Sequence, residues 1–467
     1  MGCILGIPQK NFTRTPYQHS GPGGPDGAPP PPPPQMGSAK PSHAALEVKN
    51  GKVIAKDQDL TGVITDTKAS DIKLTLDSDE TGGIYVAGEG SDYTVEHADI
   101  LISGSTEVFD MMLSGVAVDD HGILTLKNCK VHMDGRQRLA TAASGSSILK
   151  VFDSLLVSHG EAWPVSQPEV NTVMNGNMSK APVFLEIEGN MRTHCTVSNS
   201  QSYFYDSTII ADSWAALSTD IADGHVYLEA NNCNVITTRA GYGTYADTNC
   251  HTVLNHCTLQ VQHMVGIISG EAKLELNHCT AKCGNYVVLN HVVGGGDNDA
   301  MLTQVSDISI VGGSYQCEDS AVIVKSCNAD IVMDHAKIHS YAHTLLKSRI
   351  NDDPCAPDAA GKNVYGIHAQ LKNGAYDGDI LHTDSQRPMS VTLEQAQLSG
   401  AITGNVYLTF DQGSRWTATG DSNVILNGDV LEGQIDADEG VTICAVGGAA
   451  TEKTLPSGGK LIITTSI

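Results

Sequence analysis

From residue 46 onward, apolar and polar residues alternate over short runs, and none of these runs carries the spacing of an amphipathic helix. Many runs end in a polar pair and then a small residue. The clearest copies are LTLKNC (124–129), LEANNC (228–233), TVLNHC (252–257), LELNHC (274–279) and IVMDHA (331–336). A turn and a second apolar strand follow each copy. Such alternation puts every other side chain of a short strand into a core and the rest outside.

Setting the small residue in register gives Ala98, Cys129, Ser154, Ser207, Cys233, Cys257, Cys279, Gly313, Ala336, Ala396 and Gly413, with successive differences of 31, 25, 53, 26, 24, 22, 34, 23, 60 and 17. Most fall near one unit of 22 to 26, and 53 and 60 read as about two units plus insertion. A strand repeat of that length predicts a solenoid with two or three short strands per turn. Equivalent positions then stack about 4.8 Å apart. The small residues become an internal ladder, and Cys129, Cys233, Cys257 and Cys279 are expected to be buried packing residues rather than disulfide partners.

The Asn and Cys ladders, the coil length and the Gly-rich connections resemble the right-handed parallel β-helix proteins of the pectin-lyase-like superfamily, over about residues 46 to 450. The resemblance implies an all-β chain, a single right-handed parallel β-helix solenoid with loop insertions at coil corners. It divides the chain into a Gly/Pro-rich arm (1–45), the β-helix (46–450) and a C-terminal strand or cap (451–467). It also implies a groove on one outer sheet face, roofed by inserted loops, where enzymes of the superfamily bind glycans. The leader and the segment 413–433 are similar to bacterial β-helix proteins with surface roles. Within the arm, six consecutive prolines (29–34) favour polyproline II structure. The arm is read as a tail or linker, or as a segment docked on the main body or on a second subunit of a homo-oligomer.

Composition agrees with this class. Gly 47 against 5% aromatic residues points to turn-rich β structure packed with aliphatic side chains. Lys plus Arg is 28 and Asp plus Glu is 53, a formal charge of −25 that argues against nucleic acid, acidic membranes and unbridged polyanionic glycans as partners. No apolar run approaches the roughly 20 residues of a membrane span. The opening MGCILGIP is too short for a secretory signal, and Gly6 stands where myristoylation wants Ser or Thr. A soluble, cytoplasmic protein with mostly reduced thiols is expected, or an extracellular one if a leader has been removed.

Lyases of the superfamily use Arg or Lys as base with acidic calcium ligands, and its hydrolases use clustered Asp; neither pattern is evident here. The run GGGDND (294–299) lacks the ligand spacing of a calcium loop and reads as a solvated loop. His97, His256, His278 and His335 share one row with Asn128, Asp153, Asp206 and Asn232, which suits a turn row linking neighbouring coils. Cys250, His251, His256, Cys257, His278 and Cys279 have zinc-ligand chemistry, but neighbours on a strand point to opposite faces and the six cannot converge. No metal and no cofactor is expected.

The second strand suggests a site. Aligning WAALS (214–218), YGTYA (242–246), VGIIS (265–269), YVVLN (286–290), AVIVK (321–325) and HTLLK (343–347) stacks Trp214, Tyr242, Val265, Tyr286, Ala321 and His343. Rings on an outward row offer flat faces to a sugar or other planar ligand; a hydrophobic stripe under the arm or a subunit contact is the alternative. Just beyond lie Asp220, Asp247, His291, Lys347 and Arg349, with insertions at roughly 159–182, 291–306 and 349–388. His291 or His343 supplies a proton shuttle near neutral pH, Lys347 or Arg349 an oxyanion partner, and Trp214, Tyr242, Tyr286, Asp220 and Asp247 the ligand-binding surface. The function expected is general acid/base catalysis on a neutral polyhydroxylated or aromatic small molecule or a glycoside, by a lyase, isomerase or glycoside-cleaving enzyme. The alternative is a non-catalytic surface or carbohydrate-binding solenoid.

Overall fold

The computed structural model describes residues 42–106, 110–160, 192–220, 224–291, 302–350 and 358–465. The Pro-rich arm and the acidic run 294–299 lie outside them. The described chain is a parallel β-helix with three faces. One coil runs through Tyr242–Ala246 on the first face, Cys250–Asn255 on the second and Thr258–Val261 on the third. The next coil repeats this with Gly266–Ser269, Lys273–Asn277 and Thr280–Cys283 in parallel register, pairing Tyr245 with Ile267, Leu254 with Leu276 and Thr258 with Thr280. Face 1 is a 14-stranded sheet. Faces 2 and 3 belong to one larger sheet because the long strand Lys68–Asp77 pairs through its first residues with Asp92–Glu96 and through its last with Asp99–Ser103, until the last face-3 strands, Ala375–Asp377, Gln397–Ser399, Arg415–Ala418 and Ile435–Ala437, separate into a four-stranded sheet.

Inside, equivalent residues pile up coil upon coil. Leu126, Val151, Phe204, Ala230, Leu254 and Leu276 form one continuous buried column. Each large aliphatic member contributes about 1.5–3 kcal/mol by leaving water.

The small-residue ladder is present and does more than fill space. The Sγ atoms of Cys129, Cys233 and Cys257 donate to the carbonyls of Lys127, Asn231 and Asn255 at 3.3, 3.3 and 3.4 Å. Ser154 and Ser207 do the same to Phe152 and Tyr205 at 2.7 and 2.8 Å. At the Cys and Ser positions a small side chain with a donor therefore closes the corner, while Ala98, Ala336 and Ala396 only fill it, and no disulfide joins the described cysteines. Of the two long spacings, 60 is the two units expected and 53 needs correcting. Leu155 pairs directly with Thr208, so the difference of 53 is one coil carrying an insertion, whereas 60 is two coils with Gly374 as the intermediate ladder residue. The last member is Ser414, not Gly413, because Gln397 pairs with Arg415.

In most coils the corner between faces 2 and 3 is a single left-handed residue: His97, Asn128, Asp153, Asp206, Asn232, His256, His278, His335, Asn373 and Gln395 all have φ between 49° and 55°, and one coil uses the pair Gly312 and Gly313 instead. That conformation is strained for L-residues, and Asn, Asp and His tolerate it best. The row of histidines in the sequence is thus a backbone requirement. The rings of His256 and His278 stack at 5.2 Å, a by-product of the register. Asn232→Val is expected to cost about 1–2 kcal/mol, since a β-branched residue at φ 54° is strained, while Asn232→Gly should stay within about 0.5 kcal/mol of wild type. Equal denaturation midpoints for the two variants would show that the corner is not strained.

Antiparallel strands guard both ends of the solenoid. Lys52–Lys56 pairs with the first face-1 strand, His43–Lys49, and Thr451–Thr454 pairs with Lys460–Thr464. They place lysines on the edges of otherwise open parallel ladders.

Candidate functional site

Face 1 does not keep strict alternation. In several strands two consecutive residues turn inward, as Ala216 and Leu217, Val287 and Val288, Ala321 and Val322, and Leu345 and Leu346 do, all within the main core, whereas Ile84 and Val86, and Val116 and Val118, still alternate. The flanking residues Ala215, Tyr242, Tyr245, Met264, Ile267, Tyr286, Leu289 and Ile323 form a separate cluster with Trp214 on the outward side. This doublet shifts the row expected from the sequence. Ala215 pairs with Tyr242 and Ser320 with Thr344, so the stacked row is Ala215, Tyr242, Met264, Tyr286, Ser320 and Thr344. Trp214, Val265, Ala321 and His343 each stand one residue away from it. Nor are the rings open to a ligand: Trp214, Tyr242 and Tyr286 are 2%, 1% and 7% exposed.

Three residues further along, the outward row reads Ser218, Tyr245, Ile267, Leu289, Ile323 and Lys347. Two residues beyond that, at the ends of the strands, it reads Asp220, Asp247, Ser269, His291, Lys325 and Arg349. Ser269 pairs with His291 and Lys325 with Arg349, and the preceding pairs fix the others. Over six successive coils the row passes from two carboxylates through a hydroxyl and an imidazole to two cations. Three of the candidates named from sequence, Asp220, Asp247 and His291, fall in its first four places, and Arg349 closes it.

At the acidic end Arg192, from the strand Arg192–Thr196, bonds to Asp220 and lies 4.2 Å over the Trp214 ring. Burial opposes the guanidinium charge, but the Asp220 carboxylate outweighs it and raises the pKa of Arg192. Arg192 also donates to Sγ of Cys195 at 3.5 Å. Burial, and then Asp220, push the Cys195 thiol up to about 12, so it is not a nucleophile at neutral pH.

Around Asp247 the contacts converge. Its Oδ1 accepts from Ser269 Oγ at 2.9 Å, from Thr248 N at 2.8 Å and from Tyr245 OH at 3.5 Å. Tyr245 OH also lies 3.2 Å from Ser269 Oγ, and its ring stacks against His291 with centroids 6.1 Å apart. Burial and the Asp247 charge hold the Tyr245 phenol protonated. Ser269 gives its proton to the carboxylate, not to the imidazole, which does not match a serine nucleophile activated by histidine. The groups with proton-moving chemistry are Asp247 and His291, beside Tyr245 and Ser269; like the rings they are buried, at 6% and 0% exposed, and Lys325 is 2% exposed.

The other candidates sit elsewhere. His343 lies at a left-handed turn (φ 54°), 47% exposed, 3.2 Å from Asp377 and 3.6 Å from Asp379. It is two coils from His291 and at the opposite end of the strand, so the two histidines do not act on one reacting centre. Lys347 pairs with Asp319 at 3.5 Å. Among the described residues no group of three His, Cys, Asp or Glu side chains is placed to hold a metal ion. Sequence reasoning missed Arg192, Tyr245 and Ser269. Their signal was the register, which a two-residue period misreads wherever the inward doublet occurs. No family model and no curated protein matches this chain.

Proposed function

We propose that this protein is a β-helix enzyme of the pectin-lyase-like type that performs general acid/base chemistry on a neutral, polyhydroxylated molecule at the strand ends of face 1. The observation that carries this reading is the row Asp220, Asp247, Ser269, His291, Lys325 and Arg349, in which acid, base and cation occupy neighbouring coils of one rigid sheet. In this reading Asp247 and His291, on the two coils flanking that of Ser269, serve as separate acid and base toward the substrate, Tyr245 and Ser269 fix the carboxylate, and Lys325 and Arg349 stabilise developing negative charge. The formal charge of −25 disfavours an anionic substrate.

A second reading, a non-catalytic binding solenoid, is favoured by the way Arg192 with Asp220, and Ser269 and Tyr245 with Asp247, already satisfy one another. The two separate on turnover. The test incubates the full chain with a panel of neutral oligosaccharides and aryl glycosides, following reducing ends, new double bonds and epimerised products. Wild type should turn over at least one, and Asp247→Asn and His291→Gln should each lower kcat at least tenfold without shifting the melting temperature of the solenoid by more than a few degrees. Absence of turnover across the panel, or full activity in both variants, overturns the catalytic reading.

A further inference from the structure

A group of partly accessible rings lies on a different face from the candidate active site. On face 2 the strands Ile148–Phe152, Gln201–Tyr205, Val226–Asn231, Cys250–Asn255 and Lys273–Asn277 are consecutive neighbours. Their outward positions carry Phe152, Tyr203, Tyr205 and Tyr227, all partly accessible. Phe152 and Tyr205 stack at 4.9 Å with planes 10° apart, Tyr203 and Tyr227 meet at 5.6 Å, and Tyr227 meets the edge of His251 at 5.2 Å. In a chain that is only 5% aromatic, four rings on three adjacent strands of one outer face are a concentration the core does not require.

Polar groups are interleaved with the rings and hold them in place. Tyr227 OH donates to Glu229 at 2.7 Å, Asn231 Nδ2 donates to the other oxygen of Glu229 at 2.9 Å, and Tyr203 OH donates to Gln201 at 2.8 Å. Asn255 Nδ2 donates to Asn231 at 2.9 Å, extending an amide row one coil further. Glu275 is fixed by His251 and Lys273 at 2.8 and 2.7 Å.

We propose that this part of face 2 is a binding platform for a neutral polysaccharide chain, which delivers polymer to the acid/base row on face 1. The inference rests on the polyhydroxylated-substrate reading above and adds the substrate's class. Pyranose rings present apolar C–H faces and hydroxyl edges; Phe152 and Tyr205 turn their faces to one another, and the platform offers the tilted rings of Tyr203 and Tyr227 for the first and carboxylate and amide oxygens for the second. Its geometry is set before binding, which keeps the ordering cost low. Five coils at about 4.8 Å give a surface on the order of 19 Å long, flat and open at both ends, suited to several sugar units rather than one. Glu229 on the platform and Asp153 and Asp206 at its edge repel an anionic chain.

The test is affinity electrophoresis of the full-length protein in native gels containing soluble β-glucan, glucomannan or galactan, with polygalacturonate as the anionic comparison. Wild type should be retarded by at least one neutral polymer and not by polygalacturonate. The double variant Tyr203→Ala with Tyr227→Ala should lose at least tenfold in affinity, Tyr203→Phe with Tyr227→Phe should keep most of it, and Glu229→Gln should lie between. Asp247→Asn should be retarded like wild type, which separates failure of the platform from failure of the catalytic row. Lack of retardation by every neutral polymer, or equal retardation of wild type and the alanine double variant, overturns the proposal, as does self-association of the wild type that the alanine variant abolishes.

Discussion

Arg192→Met is expected to destabilise the central coils by about 3 kcal/mol, and adding Asp220→Asn is expected to restore most of that loss. Arg192 is buried, bonded to Asp220 and packed over Trp214, while the Asp220 side chain keeps about a quarter of its surface in water, 25%. Removing the guanidinium leaves a carboxylate beside aromatic and aliphatic neighbours with its charge uncompensated, a situation that costs about 3–5 kcal/mol when fully buried. The residual exposure of Asp220 places the loss at the lower end of that range. Methionine keeps much of the volume, so the lost packing is small next to the electrostatic term. The double variant removes the charge that needed a partner. Because each coil contacts only its neighbours, the effect should be local, and hydrogen exchange of the strands Arg192–Thr196, Ala215–Thr219 and Tyr242–Ala246 reads it directly. If the double variant is no more stable than the single, the ion pair is not what holds this corner.

The solenoid was legible in the sequence because its period is written in chemically similar residues. LTLKNC, LEANNC and LELNHC carry the inward strand positions, the left-handed corner residue and the small donor that closes the corner, all in fixed order. What the sequence concealed was face 1. There the inward doublet, for example Val287 and Val288, breaks the two-residue period, so Trp214 and His343 were aligned one place from their true neighbours. A hydrophobic strand that is buried on both sides carries no alternation from which to correct the slip. The same burial turned an expected ligand-facing ring row into packing, with Tyr242 bonded to Ser218 at 3.2 Å. The partly open rings of face 2 had a partial signal: VYLEAN (226–231) alternates in sequence, while QSYFY (201–205) alternates only in burial, with Ser202 turned inward, and both lie in the first strand of each repeat unit rather than the second.

Stability is expected to fall steeply between pH 6.5 and pH 3, and His194 accounts for a separable part of the fall. The imidazole points into the solenoid from face 1 and is fully buried. Its Nδ1 lies 2.9 Å from Thr141 Oγ1, its Nε2 lies 2.7 Å from Thr196 Oγ1, and its ring meets the edge of Phe204 at 4.7 Å. These partners are hydroxyls and a phenyl ring, none of which compensates a positive charge, and burial lowers the His194 pKa from 6.5 to about 3. With the folded pKa below the unfolded one, both states hold the ring neutral above pH 6.5 and it adds no pH dependence there. Below pH 6.5 the unfolded chain binds a proton that the folded chain refuses, and stability declines until about pH 3, where the folded state also accepts it. At 1.36 kcal/mol per pKa unit the total approaches roughly 4–5 kcal/mol. His194→Gln retains hydrogen-bonding capacity toward Thr141 and Thr196 and has no proton to gain. Denaturant midpoints of wild type and variant, compared at pH 7, 5 and 4, should therefore converge as the pH falls, even though the variant starts lower at pH 7 through imperfect packing. Parallel curves over that range would mean that His194 is not the buried neutral base the geometry describes, and that the acid response belongs to carboxylates alone.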